Sequence, residues 1–335
     1  MISWNPENDL DIKFFGGANK IVITPMKQNT NTVLMVRPAS FRKNEQTAVN
    51  NYFQEDLALE NEAINAKAQE EFDGFVAKLK AAGIQVLVLQ DKKELDTPDS
   101  IFPNNWVSTH ANGDVAVYPM YAENRRRERR EEFFTLLEDS GFAIKNVIDY
   151  TEAEEEELFL EGTGSIILDR ENEKAYCALS ARADEMLFIE FCEDFGYLPV
   201  IFHANQTVEG KRLPIYHTNV MMCVAQDFAV ICLQSIDDKK ERKQVINQLK
   251  ESGKEIIAIT EAQMHQFAGN MLEVVNASGQ NYLVMSAQAH NSLDESQIAS
   301  IEKYSEILSS DLKTIETCGG GSARCMMAEI FLPKS

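Results

Sequence analysis

The sequence predicts an α/β protein built from five repeated units. An amphipathic helix that stops at a glycine recurs along the chain, an apolar strand follows each helix, and a polar residue then opens a hairpin. The polar residues recur about every 55 positions and are Asn105, Glu161, His217, Asn270 and Cys325. Any alternating α/β chain gives roughly regular spacing, but here three features recur together, which is typical of a repeat.

The helices are predicted from apolar residues at 3.6-residue spacing, as in Phe72, Phe75, Val76 and Leu79. The predicted helices cover residues 61–82, 124–140, 183–195, 238–252 and 293–308. The first four end at Gly83, Gly141, Gly196 and Gly253. A helix commonly ends with a left-handed residue just beyond it, and glycine adopts that conformation at no steric cost.

Each predicted strand follows its helix directly. The predicted strands are residues 84–90, 142–150, 197–203, 254–260 and 311–317. The hairpin that follows the first of them, NWVSTHANGDVAVY, contains an Asn-Gly turn. A unit of this size cannot bury its apolar face alone, whereas a ring of five units leaves no exposed end. Equivalent positions converge on the axis of a ring, so Glu161, His217 and Cys325 are predicted to meet in one central cleft.

Composition excludes several classes of protein. The 335 residues are 44% hydrophobic and 25% charged, as in globular proteins, and the length fits one large domain or two ordinary ones. A formal net charge of −21 argues against nucleic-acid partners and anionic membrane surfaces. No apolar run reaches the length that spans a bilayer, and the N-terminus lacks the pattern of a secretory signal.

The six cysteines form no CxxC pair and are sparse, which predicts free thiols in a reducing compartment, here the cytoplasm. Residues 1–25 differ from the rest and are predicted to be an N-terminal arm, or an extension ahead of an alternative start at Met26. Residues 26–335 are predicted to form a single catalytic domain. The sequence leaves the oligomeric state open, and a homodimer is compatible with it.

Cys325 lies just after a GGGS segment, where three glycines and Ser322 let the backbone approach a ligand. A cysteine in this setting, with a histidine far upstream, is typical of a thiolate nucleophile assisted by an acid/base. A free cysteine is more often a small buried apolar residue, and a lone histidine is more often structural. The repeat phase shared by Cys325, His217 and Glu161 favours the catalytic interpretation.

A cysteine, a histidine and a carboxylate suit two chemistries, the hydrolysis of amides or esters and attack on a guanidine or urea carbon. The spacings HxxxH, CxxC and HExxH are absent, as are GxGxxG and the P-loop, so no metal site and no cofactor is predicted.

The segments LEGTGS, YHTN and GGGSARC, in this order and phase, resemble the guanidine-modifying superfamily of arginine deiminases, dimethylarginine hydrolases and amidinotransferases. The resemblance spans residues 26–333 and implies a five-bladed, pseudo-symmetric α/β propeller, the pentein fold. It also implies that Cys325 is the nucleophile, His217 the general acid/base and Glu161 the carboxylate that orients the guanidine.

Other segments imply substrate contacts. DSIFPNNW resembles the family's D-x-x-F-x-x-D signature, which assigns Asp99, with Asn104 and Asn105 standing where dimethylarginine hydrolases carry acids. NRRRE and LSARAD resemble the segments that bind the substrate carboxylate, which assigns Arg125 and, with more weight, Arg182. The alternative is that the basic residues at 125–127 form an exposed run in contact with solvent and do not bind substrate.

Asn219 stands two residues after His217, where arginine deiminases carry an acid, and Asn105 also replaces an acid. An amide NH2 can donate to a carbonyl oxygen, which a carboxylate cannot do. A buried carboxylate facing a neutral urea would also lack a counter-charge. These replacements favour a ureido substrate, and the resemblance implies the branch that hydrolyses citrulline to ornithine.

Several alternatives stay open. The protein could be an arginine deiminase or a dimethylarginine hydrolase that produces citrulline. A catalytically silent propeller that binds an amino acid is the non-enzymatic alternative. A cysteine peptidase would need an oxyanion hole and an extended cleft, and the sequence indicates neither.

Overall fold

The computed structural model describes residues 26–335, and every structural statement below concerns these residues. The arm or extension predicted at residues 1–25 lies outside the described residues.

The described chain forms seventeen strands. They are β1 Thr32–Arg37, β2 Gln85–Gln90, β3 Val107–Thr109, β4 Asp114–Val117, β5 Asn146–Asp149, β6 Ile166–Asp169, β7 Lys174–Ala178, β8 Leu198–Phe202, β9 Asn205–Val208, β10 Lys211–Pro214, β11 Met222–Val224, β12 Phe228–Ile231, β13 Glu255–Ala258, β14 Leu272–Val275, β15 Asn281–Ser286, β16 Glu306–Ser310 and β17 Ala328–Glu329.

These strands make five three-stranded sheets and one two-stranded hairpin, β9–β10. The sheet orders are β17-β1-β2, β3-β4-β5, β6-β7-β8, β11-β12-β13 and β14-β15-β16. In each of the five sheets the middle strand pairs antiparallel with one neighbour and parallel with the other. In four of the sheets the antiparallel pair is a hairpin of consecutive strands, whereas β17 and β1 are distant in sequence; the parallel pair is joined by a crossover in all five. The predicted α/β class is confirmed.

Ten α-helices accompany the sheets. They are α1 Glu45–Ala48, α2 Asn61–Ala81, α3 Glu132–Asp139, α4 Gly162–Ser165, α5 Glu185–Phe195, α6 Lys239–Glu251, α7 Glu261–Met264, α8 Ala287–Ser292, α9 Glu295–Glu302 and α10 Lys313–Gly319. Gly83, Gly141, Gly196 and Gly253 have φ angles of +85°, +79°, +74° and +73°. The left-handed conformation predicted after these helices is therefore present.

Three predicted elements were wrong in whole or in part. The helix predicted over residues 124–140 is a 3-10 turn, Glu123–Glu128, followed after a break by α3. The fifth helix stops at Glu302, and the residues predicted to continue it form β16. The strand predicted over residues 311–317 is instead most of helix α10, because the carboxylate of Glu71 accepts hydrogen bonds from the Thr314 and Ile315 amides and caps that helix.

The fifth sheet joins the two ends of the described chain. Strand β17 pairs antiparallel with β1, with Val33 opposite Glu329 and Leu34 opposite Ala328. Cys325 was predicted to open a hairpin. The segment after Cys325 instead leads to β17, whose antiparallel partner β1 comes from the other end of the described chain.

The core lies between the sheets and the helices that cover them. Phe72, Phe75 and Leu79 of α2 are buried, as their spacing predicts, and pack with apolar residues of β1 and β2. All six cysteines are buried and free. Within residues 26–335 no helix combines the length and the apolar character needed to cross a bilayer.

Candidate active site

Glu161 is held in the loop between β5 and β6, at the N-terminus of the short helix α4. The next residue, Gly162, has a φ of +44°, and a Cβ there would lie 2.5 Å from the backbone oxygen of Asn104. Glycine is needed at this position because the loop presses directly on the neighbouring backbone. Glu161 is fully buried, and its Oε1 accepts a hydrogen bond from the backbone N–H of Tyr121 at 3.0 Å.

The second oxygen of Glu161 faces cations and an imidazole. His217 Nε2 lies 2.7 Å from Oε2, while Nη1 of Arg182 and Nη1 of Arg125 lie 3.5 and 3.9 Å away. Burial alone would raise the pKa of Glu161, but the charge of Arg182, the hydrogen bond from His217 and the charge of Arg125 lower that pKa to about 2. Glu161 is therefore a carboxylate at neutral pH.

His217 lies just before a 3-10 turn, Thr218–Val220, that leads into β11. Burial lowers the pKa of His217 to about 4; Glu161 opposes this shift, and Arg182 and Arg125 add to it. The imidazole is thus neutral at neutral pH. Because the carboxylate of Glu161 can only accept, the single ring proton lies on Nε2 and Nδ1 is left as a free base.

Cys325 follows helix α10 through the GGGS segment, and its backbone N–H donates to the Ser322 carbonyl at 3.0 Å. Cys325 as a whole residue is 2% exposed. Two side-chain amides point their nitrogens at its sulfur: Asn219 Nδ2 lies 3.3 Å and Asn270 Nδ2 lies 3.2 Å from Sγ. The sulfur is therefore an acceptor of two N–H groups.

One cavity joins the sulfur and the imidazole. Its free space is about 10 Å³, the room that one water molecule needs. It is lined by Asn51, Asp99, Phe102, Asn105, Arg125, Arg182, Tyr216, His217, Gly319, Gly321 and Cys325. With the side chains in these positions, the free space is much smaller than an amino acid.

The predicted substrate-binding residues lie at different depths. Asp99, Asn105, Arg125 and Arg182 line the cavity together with the nucleophile and the base. Asn104 and Asn219 lie behind its wall, in contact with Asn105 and with the sulfur. Ser322 does not line the cavity, and its hydroxyl donates instead to Glu316 Oε1 at 2.6 Å.

Arg125 is bound on all sides. It makes a two-point ion pair with Glu128, 2.9 Å at each contact, and donates to Asn105 Oδ1 at 2.7 Å. Burial raises the pKa of Glu128 to about 7 against the opposing charge of Arg125. Arg125 therefore contributes charge to the cavity while its donors stay occupied.

Arg182 is held by residues next to Asn51, which lines the cavity. Its Nη2 donates to the backbone oxygen of Thr47 at 2.9 Å, and its Nε donates to Asn50 Oδ1 at 3.0 Å. Displacement of Thr47 and Asn50 would free these donors for a substrate carboxylate.

Asp99 has one oxygen to spare. Its Oδ2 accepts from Asn44 Nδ2 at 2.8 Å and from Thr47 Oγ1 at 3.0 Å, whereas the buried Oδ1 has no partner. Burial raises the pKa of Asp99, and the charge of Arg125 opposes the shift. Asn219 Oδ1 and Asn104 Nδ2 are likewise buried without partners. Unpaired buried polar atoms at a cavity are sites that a ligand can satisfy.

Sequence reasoning assigned no role to three residues of this site. Asn270 was recognised only as the opening residue of the fourth unit, although its repeat phase equals that of Cys325. Tyr216, which precedes His217, closes the cavity by donating to the Gly320 backbone oxygen at 2.6 Å. Glu128 lies three residues after Arg125, a spacing that suits an ion pair within one turn. Residues 26–335 contain no group of three or more His, Cys, Asp or Glu side chains arranged to hold a metal ion.

The fold and the site can be compared with known families. A family model described as N,N dimethylarginine dimethylhydrolase, eukaryotic, matches residues 37–332. The chain belongs to this family. Dimethylarginine hydrolases are members of the guanidine-modifying superfamily, so the resemblance inferred from the sequence motifs is confirmed. No curated protein matches the chain in sequence.

Solved structures resemble this family member in fold. Apo ArgZ, an arginine dihydrolase of the cyanobacterial ornithine-ammonia cycle, is 16% identical with a TM-score of 0.69 over 91% of this chain. The chain spans only 41% of the length of that protein. The substrate-bound N-terminal domain of ArgZ is 15% identical, with a TM-score of 0.66, and 90% of this chain covers 99% of that domain.

A dimethylarginine dimethylaminohydrolase bound to 4-chloro-2-hydroxymethylpyridine is 16% identical with a TM-score of 0.60. The match covers 90% of this chain and 99% of that structure. At these identities the likeness shows a shared α/β fold.

Proposed function

We propose that this chain is a cysteine-dependent hydrolase that acts on the ureido or guanidino carbon of a free amino acid. The observation that carries the proposal is the single buried cavity that holds Cys325, neutral His217 and two arginines, with ionised Glu161 behind the imidazole. The family match supports the same chemistry.

The reaction begins when the Cys325 thiol gives its proton to His217 Nδ1 and the sulfur attacks the substrate carbon. The imidazolium formed is stabilised by Glu161, and it protonates the nitrogen that leaves as one carbon–nitrogen bond breaks. His217 then takes a proton from water, which attacks the S-linked carbon and releases the sulfur. With citrulline the resulting carbamic acid loses CO2, so citrulline and one water give ornithine, ammonia and CO2.

We propose citrulline as the substrate because the cavity already carries its own counter-charges. The cations of Arg125 and Arg182 face the carboxylates of Glu161, Asp99 and Glu128. Burial raises the pKa of Asp99 and raises that of Glu128 to about 7, which favours the uncharged form of each side chain over what it would be in water. A neutral ureido group leaves this balance undisturbed, whereas a guanidinium would add another positive charge.

Arginine is the second candidate, on a separate observation. The two unpartnered oxygens, Asp99 Oδ1 and Asn219 Oδ1, are acceptors, and a guanidinium presents only donors. Asn219 directs its NH2 to the sulfur, so the oxygen and not the nitrogen of this amide is the atom left without a partner. The similar structures include ArgZ, an arginine dihydrolase, and AgrE in complexes with L-arginine and with ornithine.

The five-bladed arrangement is part of the same proposal. Strand β17 contacts β3, β6 contacts β11, and β11 contacts β14, so three of the five pairs of adjacent sheets meet through their first strands. We infer five blades around an axis through the cavity, within a single catalytic domain of residues 26–335. A thiol nucleophile of this kind suits a reducing compartment such as the cytoplasm.

The test is incubation of the purified protein with citrulline, arginine and asymmetric dimethylarginine, each followed by amino-acid analysis. Ornithine from citrulline supports the first candidate. Consumption of arginine without consumption of citrulline would replace it by the second, and citrulline from dimethylarginine would make the protein a dimethylarginine hydrolase. If none of the three is consumed while one of them binds, the silent amino-acid-binding alternative holds.

A further inference from the structure

The sulfur of Cys325 rests against a pair of amides. The NH2 groups of Asn219 and Asn270 approach it from the third and fourth units, at 3.3 and 3.2 Å. Both amides are fully buried, so their donors face no competing water. Donors held in a buried site need no reorganisation when charge develops at the acceptor.

Asn270 is fixed at both ends of its side chain. Its Oδ1 accepts from the backbone N–H of Arg324 at 3.0 Å, next to Cys325 in the chain. Its Nδ2 also donates to the backbone oxygen of Asn219 at 3.0 Å. One hydrogen of the NH2 group therefore reaches the turn after His217 and the other reaches the sulfur, so this side chain connects the base-bearing segment with the nucleophile-bearing segment.

The hydrogen bonds that the cationic side chains of the site make go to groups other than the sulfur. The charged or titratable groups that face the cavity with Cys325 are Asp99, Arg125, Arg182, Tyr216 and His217. Arg125 is occupied by Glu128 and Asn105, Arg182 is occupied by Thr47 and Asn50, and the imidazole of His217 is neutral. Arg324 donates to Met327 O and to the Glu329 carboxylate.

We propose that Asn270 is a positioning residue which, with Asn219, holds the Cys325 sulfur in a cradle of two amide N–H donors and thereby favours the thiolate. The proposal rests on Cys325 being the nucleophile of the proposed function. It assigns the polar residue of the fourth unit to the same reaction as the residues of the third and fifth units.

The test is the substitution Asn270→Asp in the full chain. Aspartate keeps the shape and the acceptor for Arg324 N–H, but it removes the donor and brings negative charge to the sulfur. The readout is the ultraviolet absorbance of the Cys325 thiolate against pH, taken as the difference from the same protein carrying Cys325→Ser. We expect the midpoint of this titration to move up by about one pH unit, which is about a tenfold loss of thiolate on the acid side.

The matched control is Asn276→Asp, which makes the same chemical change in the turn between β14 and β15, where Asn276 Nδ2 donates to Ala82 O. This control should leave the midpoint unchanged. If Asn270→Asp does not fold, Asn219→Asp tests the second amide of the cradle by the same readout. A carboxylate beside the sulfur disfavours the thiolate by its charge alone, so the neutral variant Asn270→Ala, which removes the donor without adding charge, is titrated alongside. A folded Asn270→Ala protein whose midpoint stays at the native value would overturn the proposal.

Failure of this inference and failure of the proposed function are distinguishable, since the titration requires no substrate. A shifted midpoint in a protein that consumes none of the three amino acids keeps the cradle and removes the hydrolase. An unshifted midpoint in an active enzyme removes the cradle and keeps the hydrolase.

Discussion

The ring nitrogen Nε2 of His217 and the carboxylate oxygen Oε2 of Glu161 are 2.7 Å apart, and both side chains are buried. This contact fixes the plane of the imidazole and places its proton on the side away from Nδ1. The carboxylate belongs to the second unit and the imidazole to the third, so the tautomer of the base depends on how two sheets are held together.

The substitution Glu161→Gln should lower kcat by about 10²-fold or more, the range typical of losing an oriented general acid/base. Glutamine keeps the size but not the charge that stabilises the imidazolium. Single-turnover rates with the identified substrate measure this. Glu156→Gln, the same change at an exposed position of the preceding loop, should have no effect, and equal losses in both variants would contradict the role of Glu161.

The dependence of kcat/KM on pH should show an acid limb near pH 4 instead of near 6.5. The free enzyme needs a neutral His217 to accept the thiol proton, and burial lowers the pKa of this imidazole to about 4. The rate should therefore hold as the pH falls through 6 and 5, and drop only when His217 becomes protonated. Because Glu161 raises the pKa of His217, Glu161→Gln should move the limb further down; an acid limb at the ordinary histidine value would sink this prediction.

Cys325→Ser should lower turnover by about 10³-fold or more and leave the fold intact, since a hydroxyl is a much weaker nucleophile than a thiolate. The matched control is Cys192→Ser in α5, a cysteine with the same 2% exposure that lies outside the cavity. Product formation and melting temperature are measured for both variants. A fully active Cys325→Ser protein would refute the assignment of the nucleophile.

Gly164→Ala should damage catalysis through packing alone. A Cβ at Gly164 would lie 2.9 Å from His217 Nδ1 and closer still to Asn105 Nδ2. Overpacking of this kind costs about 1–3 kcal/mol, and here the displaced atom is the base itself. We expect a fall in kcat with a modest fall in melting temperature, both measured on the same preparation.

Gly74→Ala provides the control for that experiment. Gly74 lies within α2, and no atom is within 4 Å of its added Cβ. Alanine there should stabilise the protein by about 0.5–1 kcal/mol and leave kcat unchanged. If Gly164→Ala leaves kcat unchanged, as this control does, the close packing around His217 Nδ1 does not contribute to catalysis.

Arg182→Lys should raise KM for the amino acid by about tenfold or more, because lysine cannot make the two-point contact with a carboxylate that a guanidinium makes. Asn50→Ala should lower KM, since Asn50 Oδ1 accepts a hydrogen bond from Arg182 that a substrate carboxylate would otherwise receive. Steady-state kinetics of both variants, with kcat determined separately, check the pair. A rise in KM on Asn50→Ala would show that Asn50 binds the substrate itself and does not merely occupy the donors of Arg182.

The repeat could be predicted because each feature that defines it is set by residues close together in the sequence. A glycine after a helix, an apolar strand and a polar residue before a hairpin all leave their pattern in neighbouring residues. For that reason the four helix-ending glycines were placed correctly. The superfamily of the chain followed from three short motifs in the right order.

The remaining features depend on contacts between distant segments. Helix α10 is capped by Glu71, more than two hundred residues earlier, so its sequence alone resembled a strand. The 3-10 turn at Glu123–Glu128 replaces a predicted helix where Arg125 reaches back to Asn105. The capture of Arg182 by Asn50 likewise has no local signature.

The pairing of β17 with β1 has a consequence for how the catalyst comes into being. The segment that carries the sulfur is anchored to β1, almost three hundred residues earlier in the chain, with Ile330 N–H donating to Thr32 O. The four sheets formed by β3 to β16 contain neither strand of this pair, but the reactive centre has no place to form until the segment after β16 has been synthesised and pairs with β1. Contacts of such large sequence separation form slowly, so we expect that a chain arrested before this segment carries the imidazole and the carboxylate without any nucleophile to serve.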